Sequence, residues 1–199
     1  MKKTLIGALV GGIIIFIWQF LSWSLINFHE SAQQYTPKQD AIMNVLKSEG
    51  LEEGGYILPM LPKTATTEEW QQFMTNAEEK PWASIQYHNA MKNDMMMNII
   101  RGLVVNIITV WLLCWVLVRL KNTNFANILT ASLFTGLIVF LNVPYTNYIW
   151  YESFDLYAHL ADALISWGAC GLWLAWWLSR NNAHAPVLMN NKNREATVS

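Results

Sequence analysis

The sequence predicts an all-α membrane protein, a four-transmembrane-helix bundle with a small α+β extracytoplasmic domain inserted between helices 1 and 2. Three observations lead there. Hydrophobic residues make up 53% of the 199 and charged residues only 14%, whereas a soluble domain carries about a quarter charged. The apolar residues are gathered into four runs long enough to cross a bilayer. The one long polar stretch, between the first two runs, has the capping and alternation patterns of a folded unit rather than a linker.

The first run, residues 4–28, reads TLIGALVGGIIIFIWQFLSWSLINF. A span needs about 20 residues to cross about 30 Å of hydrocarbon. A secretory signal has a shorter apolar core, of about 7–15 residues, followed by a small-residue cleavage site. The run reads as an uncleaved anchor. The second run covers 95–120, the third 125–148 and the fourth 156–179. Only KNTN separates the second from the third, which predicts a packed helical hairpin. The residues from 180 to 199 form a short, Asn-rich cytoplasmic tail.

Charge sets the orientation. Lys2, Lys3, Arg119, Lys121, Arg180, Lys192 and Arg194 fall on one side with the single acid Glu195. The loop from Glu30 to Asp94 has ten acids against five lysines, and Glu152 and Asp155 share its side. By the positive-inside rule both termini are cytoplasmic and residues 29–94 face outward. In a bacterial cell this is a multi-pass protein of the inner membrane. Trp18, Trp23, Trp111, Trp115, Trp150, Trp173, Trp176 and Trp177 crowd towards span ends, as interfacial aromatic belts do. A net charge of −1 gives no reason to expect nucleic acid as a partner.

The outward loop carries two helix signatures. In TPKQDAIMNVLKSEG, Thr36 reads as an N-cap, Pro37 as the first helical residue and Gln39 as the far side of a capping box. Ala41, Ile42, Val45 and Leu46 make an apolar stripe, and Gly50 is the stop. In TTEEWQQFMTNAEE, Thr67 reads as the cap, and Trp70, Phe73, Met74 and Ala77 share a face. GGYILP and PWASIQYH, bounded by Gly and Pro, read as two short strands. A two-stranded sheet is weak alone, so the helices or a partner must support it.

Polar residues inside spans are costly and mark packing or function. The fourth span has Asp155, His159, Asp162 and Ser166 at helical spacing. The second has Asp94, Asn98 and Arg101, with Thr109 deeper. The third offers Thr135 and Asn142, with Pro144 just beyond, and the first has Gln19, Ser22 and His29 on one face. Arg101 and Asp162 each lie about six residues in from the outer end of their spans, or about 9 Å. This equal depth predicts an Arg101–Asp162 ion pair, with His159 and Asn142 close by. The polar cluster Arg101, Asp162, His159, Asn142, Asn98 and Asp155 is then either structural glue or the lining of an outward-facing pocket.

Signatures of chemistry are scarce. H-E-x-x-H and E-x-x-H are absent, so no metal is expected, although His29, His88 and His159 could be combined with Asp155, Asp162 or Glu152. No G-x-S-x-G, P-loop or dinucleotide fingerprint occurs, and no cofactor is implied. Cys114 and Cys170 lie in apolar runs and read as small buried hydrophobes. Gly7-x-x-x-Gly11 is a close-packing face, suited equally to intramolecular packing or to dimerisation.

The segment WQFLSWSLINFH, with Trp18, Ser22, Trp23, Phe28 and His29, and the loop motif GGYILP, from Gly54 to Pro59, together resemble those of a family of small, uncharacterised four-span proteins of the bacterial inner membrane. The resemblance implies an envelope protein and four spans. It carries no catalytic residue. The leading functional expectation is a non-catalytic accessory or assembly subunit that lies in the lipid bilayer. It would dock an envelope protein partner through the outer domain, where Trp82 and Tyr87 are expected to be exposed. The alternatives are a ligand- or lipid-binding membrane protein, enzymatic or not, with an outward polar pocket, and a small transporter or channel subunit.

Overall fold

The computed structural model describes residues 2–120 and 124–180. Residues 121–123 and those from 181, with Lys121, Lys192 and Arg194, lie outside the described residues. The chain is mostly helical and divides into two compact units, one of Met1–Gln33 with Met95–Ser199 and one of Gln34–Asp94.

In the first unit, α1 is Lys2–Phe20, continued by a π turn at Leu21–Leu25. After the other unit come α4 (Met95–Leu117), α5 (Phe125–Phe140), a second π turn at Leu141–Tyr145, α6 (Thr146–Trp150) and α7 (Leu156–Ser179). Among the described residues, three helical stretches are long and apolar enough to cross a membrane: Lys2–Leu25, Met95–Leu117 and Phe125–Trp150. Helix α7 has 24 residues, but Asp162, His159 and Ser166 dilute its apolar run and it is not among the three.

The helices pack in the order α4, α1, α7, α5. The short connection between α4 and α5 predicts a packed hairpin. Instead these two touch only slightly, and each leans on one of the two central helices. Lipid supplies no hydrophobic drive between apolar helices, so small residues that admit close approach decide which faces meet. A Cβ on Gly12 would sit 2.6 Å from the Ile107 Cα, and one on Gly136 2.6 Å from the Ala163 carbonyl oxygen. Glycine is required at both crossings, α1 on α4 and α5 on α7. Gly7 and Gly11 also face neighbours within the chain, Leu174 and Trp177 at Gly7, Val110 and Cys170 at Gly11, so that glycine pair serves intramolecular packing. The buried core includes Ala8, Val110, Cys114, Ile128, Cys170 and Leu174. At the far end, Trp177 Nε1 donates to the Lys3 carbonyl at 2.9 Å and Lys3 Nζ to the Leu178 carbonyl at 3.0 Å, which fixes α1 and α7 antiparallel.

The π turn at Leu141–Tyr145 has a local cause. Pro144 has no N–H to give and would clash with the carbonyl one turn back, so the helix widens around it. Thr146 Oγ1 takes up the Leu141 carbonyl at 2.8 Å. In α1 the widened turn closes with Ile26 N–H to the Leu21 carbonyl at 2.8 Å. Asn27 then adopts φ +56°, a left-handed conformation that asparagine tolerates, and the chain reverses. The straight helix expected to Phe28 therefore ends sooner.

The second unit has α2 (Gln39–Ser48), β1 (Gly54–Leu58), α3 (Thr67–Ala77) and β2 (Ala83–Tyr87). The strands pair antiparallel, with Tyr56 opposite Ile85. Both caps differ from expectation. Helix α2 starts after Lys38 with no side-chain cap, and the Thr36 hydroxyl accepts from Lys38 N–H instead, at 3.3 Å. Thr66, not Thr67, caps α3, because the reciprocal bonds with Glu69 need that spacing. Gly50, at φ +70°, ends α2.

Candidate functional site

The polar face of α7 meets the chain reversal that follows α1. Trp18 and Ser22 lie one turn apart on α1 and its π turn, and both grip Asp162: Trp18 Nε1 donates to Oδ1 at 2.9 Å and Ser22 Oγ to the same oxygen at 2.6 Å. The reversal at Asn27 brings His29 back against the same helix. Its Nε2 lies 3.0 Å from Asp162 Oδ2 and its Nδ1 2.8 Å from Asp155 Oδ2. His29 is 1% exposed, and Trp23 stacks flat on its ring at 3.7 Å. His159, one turn after Asp155, places Nε2 3.3 Å from Asp155 Oδ2, and its ring meets His29 edge-on at 4.7 Å. The Ser31 hydroxyl adds a bond to the Phe154 carbonyl at 2.9 Å.

Asp155 sits just before α7. Burial alone raises its carboxyl, but the His29 hydrogen bond, the nearby His159 and a Ser153 hydrogen bond together hold it below the usual carboxylate value. Donor atoms of His29, Asp155 and His159 all lie within 4.8 Å of one another, so this set has the reach to hold a metal ion.

Beside the cluster, where α4 and α5 stand apart, is a cleft of about 420 Å³. Its polar lining is Gln19, Asn106, Thr109, His159, Asp162 and Ser166, and its apolar walls include Val139, Phe140 and Trp167. Asn106 Nδ2 donates to Gln19 Oε1 at 2.7 Å and ties α4 to α1 across the cleft floor.

The structure brings Asp155, His159 and Asp162 together and leaves Arg101, Asn98 and Asn142 apart from them. All three of the latter are exposed. The expected Arg101–Asp162 pair does not form: among the described residues Arg101 has no ion pair, and both oxygens of Asp162 are held by Trp18, Ser22 and His29. Equal depth is not enough, because Arg101 is exposed and α4 packs closely on α1 rather than on α7. Asn142 does not line the cleft; its neighbours Phe140 and Pro144 do. His88 belongs to the other unit, where it faces Glu53 at 3.1 Å. Sequence reading missed His29 as the partner of α7. The signal was present in the Ser22/His29 face of the first run, but the reversal that redirects it is not visible in periodicity.

No protein-family model matches the chain, and neither a curated protein nor a solved structure does.

Proposed function

We propose that the chain is a four-span membrane protein that binds a small neutral or cationic polar ligand in the cleft between α4 and α5. The reading takes α7 as the fourth span, both termini as cytoplasmic and residues 34–94 as outside. In a bacterial cell that is the inner membrane, as the resemblance of its Trp18–His29 segment also implies. Charge asymmetry supports the orientation. The partnering of Asp162 inside the protein supports α7 as a span, because a carboxylate facing lipid would be costly.

The observation that carries the ligand is the lining. Six polar side chains converge on one gap between apolar helices, and a concave site with apolar walls and a few convergent polar groups is the usual form of a small-molecule site. The lining has the Asp162 carboxylate and no Lys or Arg, so hydroxyl or amine groups fit it better than anions. The accessory-subunit reading has less support. Trp82 is half exposed, but Tyr87, the second aromatic of that surface, is buried.

The test is native mass spectrometry of the full chain in mild detergent, with thermal-shift screening of polyols and amines. A retained or stabilising small molecule is expected, and it should be lost in Thr109→Phe, which fills the cleft. No bound species and no stabilisation, or equal binding by the filled variant, would overturn the reading. Cysteine labelling from each side tests the orientation: a residue 34–94 reporter should label only from outside.

A further inference from the structure

His29 presents both ring nitrogens to carboxylate oxygens, Asp155 at 2.8 Å and Asp162 at 3.0 Å. An ionised carboxylate only accepts, and a neutral imidazole has one N–H. One of the two contacts is therefore lone pair against lone pair unless a positive species sits in it. A second ring proton on His29 is one such species, with a neutral His159 donating its own Nε2–H to Asp155. A bound cation is the other. The convergence of His159 points to the cation: its Nε2 also lies 3.3 Å from Asp155 Oδ2, so two imidazoles aim at one carboxylate oxygen with their rings 4.7 Å apart. One divalent ion uses both lone pairs and the carboxylate together.

We propose that His29, Asp155 and His159 bind one divalent first-row transition ion, through His29 Nδ1, an Asp155 oxygen and His159 Nε2. An ion about 2.1 Å from each donor wants donors roughly 3.0–3.4 Å apart. The two distances to Asp155 are 2.8 and 3.3 Å and all three donor atoms lie within 4.8 Å of one another, so binding requires the two imidazoles to close on the ion. Asp162 takes the supporting place. A metal-bound histidine commonly donates its other N–H to a carboxylate, which fixes the tautomer and turns the lone pair to the metal. Asp162 does this from the Nε2 side and is itself held by Trp18 and Ser22. Trp23 stacked on His29 fixes the plane of the ring. Two imidazoles and one carboxylate suit Zn²⁺, Fe²⁺, Mn²⁺, Co²⁺ or Ni²⁺ rather than Ca²⁺ or Mg²⁺. Three protein donors leave at least one position for water or ligand, and His159 lies between the ion and the cleft. The proposal rests on this donor geometry alone and does not require the cleft to bind anything.

The test uses the untagged full chain in detergent, stripped with a chelator, then titrated with Zn²⁺ by calorimetry and with Co²⁺ by visible absorption. One ion per chain is expected, with a Co²⁺ spectrum distinct from that of the hydrated ion and a thermal midpoint that rises with Zn²⁺. His159→Ala should abolish stoichiometric binding and keep the thermal midpoint of the stripped protein, because His159 is the most exposed of the three ligands. Asp162→Asn should weaken binding about 10–100-fold. His88→Ala should bind as the parent does. A parent chain that takes up no more Zn²⁺ than His159→Ala, or that leaves Co²⁺ with its hydrated spectrum, would overturn the site. Undiminished affinity in Asp162→Asn would overturn the supporting role. If His159→Ala fails to fold, the Co²⁺ spectrum of the parent chain decides alone.

Discussion

Helices α4 and α7 carry polar stripes of similar length at the same end of the bundle. On α4 the stripe is Asn98 and Arg101, with Asp94 just before the helix, and all three are exposed. On α7 it is Asp155, His159, Asp162 and Ser166, and each is buried or half-buried. Every polar group of the α7 stripe has a partner: Asp155 and Asp162 reach His29, His159 reaches Asp155, and Ser166 Oγ bonds the Asp162 carbonyl at 2.6 Å. The difference comes from what lies opposite. Helix α7 is one of the two central helices and has α1 and its reversal against it, whereas α4 meets only α1 closely. A polar stripe thus shows where a helix departs from lipid-like chemistry, and only its place in the packing order decides whether that stripe is used.

The largest effect should come from Asp162→Ala. It leaves His29 Nε2, Ser22 and Trp18 without their acceptor, and removing one partner of a buried pair costs about 3 kcal/mol or more. A thermal or denaturant midpoint in detergent measures it. Packing should sharpen the same contrast. Gly136→Ala presses a methyl against the Ala163 carbonyl on α7 and the Trp167 ring, at a cost of about 1–3 kcal/mol. Gly102→Ala, beside Arg101 on α4, meets only the edge of the Phe16 ring at 3.4 Å. It should be neutral or slightly stabilising by helix propensity. Ser22→Ala removes one of three donors to Asp162 and should cost about 1 kcal/mol. Arg101→Ala should change stability by no more than about 0.5 kcal/mol. A loss near that of Asp162→Ala would mean the two stripes are equally engaged, and the contrast would fail.

The parts of this arrangement that periodicity governs were legible in the sequence. The four long helices, the two strands and the α7 stripe follow from spacing and local composition. Caps and turns predict a unit over residues 29–94; the second unit is Gln34–Asp94, and the residues just before it, with His29, belong to the helical unit. What was not legible depends on handedness, rotation and distance along the chain. Depth pairs Asp162 with Arg101, but α1 and its reversal, not α4, pack against α7, so the Ser22/His29 face takes the carboxylate. His29 lies beyond a π turn and a left-handed asparagine, two backbone departures that a straight 3.6-residue period does not contain. The hairpin expected between α4 and α5 failed for a related reason. A short connection brings two ends together, but Gly12 and Gly136 give the better approach to other helices. The caps of the smaller unit were misplaced by one and two residues, within the usual uncertainty of helix ends.

The claim that organises all of this is that Asp162 is held by His29 and not by Arg101. A pair of double-mutant cycles on unfolding stability tests it directly: His29→Ala with Asp162→Ala, and Arg101→Ala with Asp162→Ala. Residues in one hydrogen-bonded network typically show interaction energies of about 0.5–3 kcal/mol, whereas independent sites add to within about 0.5 kcal/mol. The account predicts coupling in the upper part of that range for the His29 cycle and none beyond additivity for the Arg101 cycle. Coupling in the Arg101 cycle with additivity in the His29 cycle would contradict it.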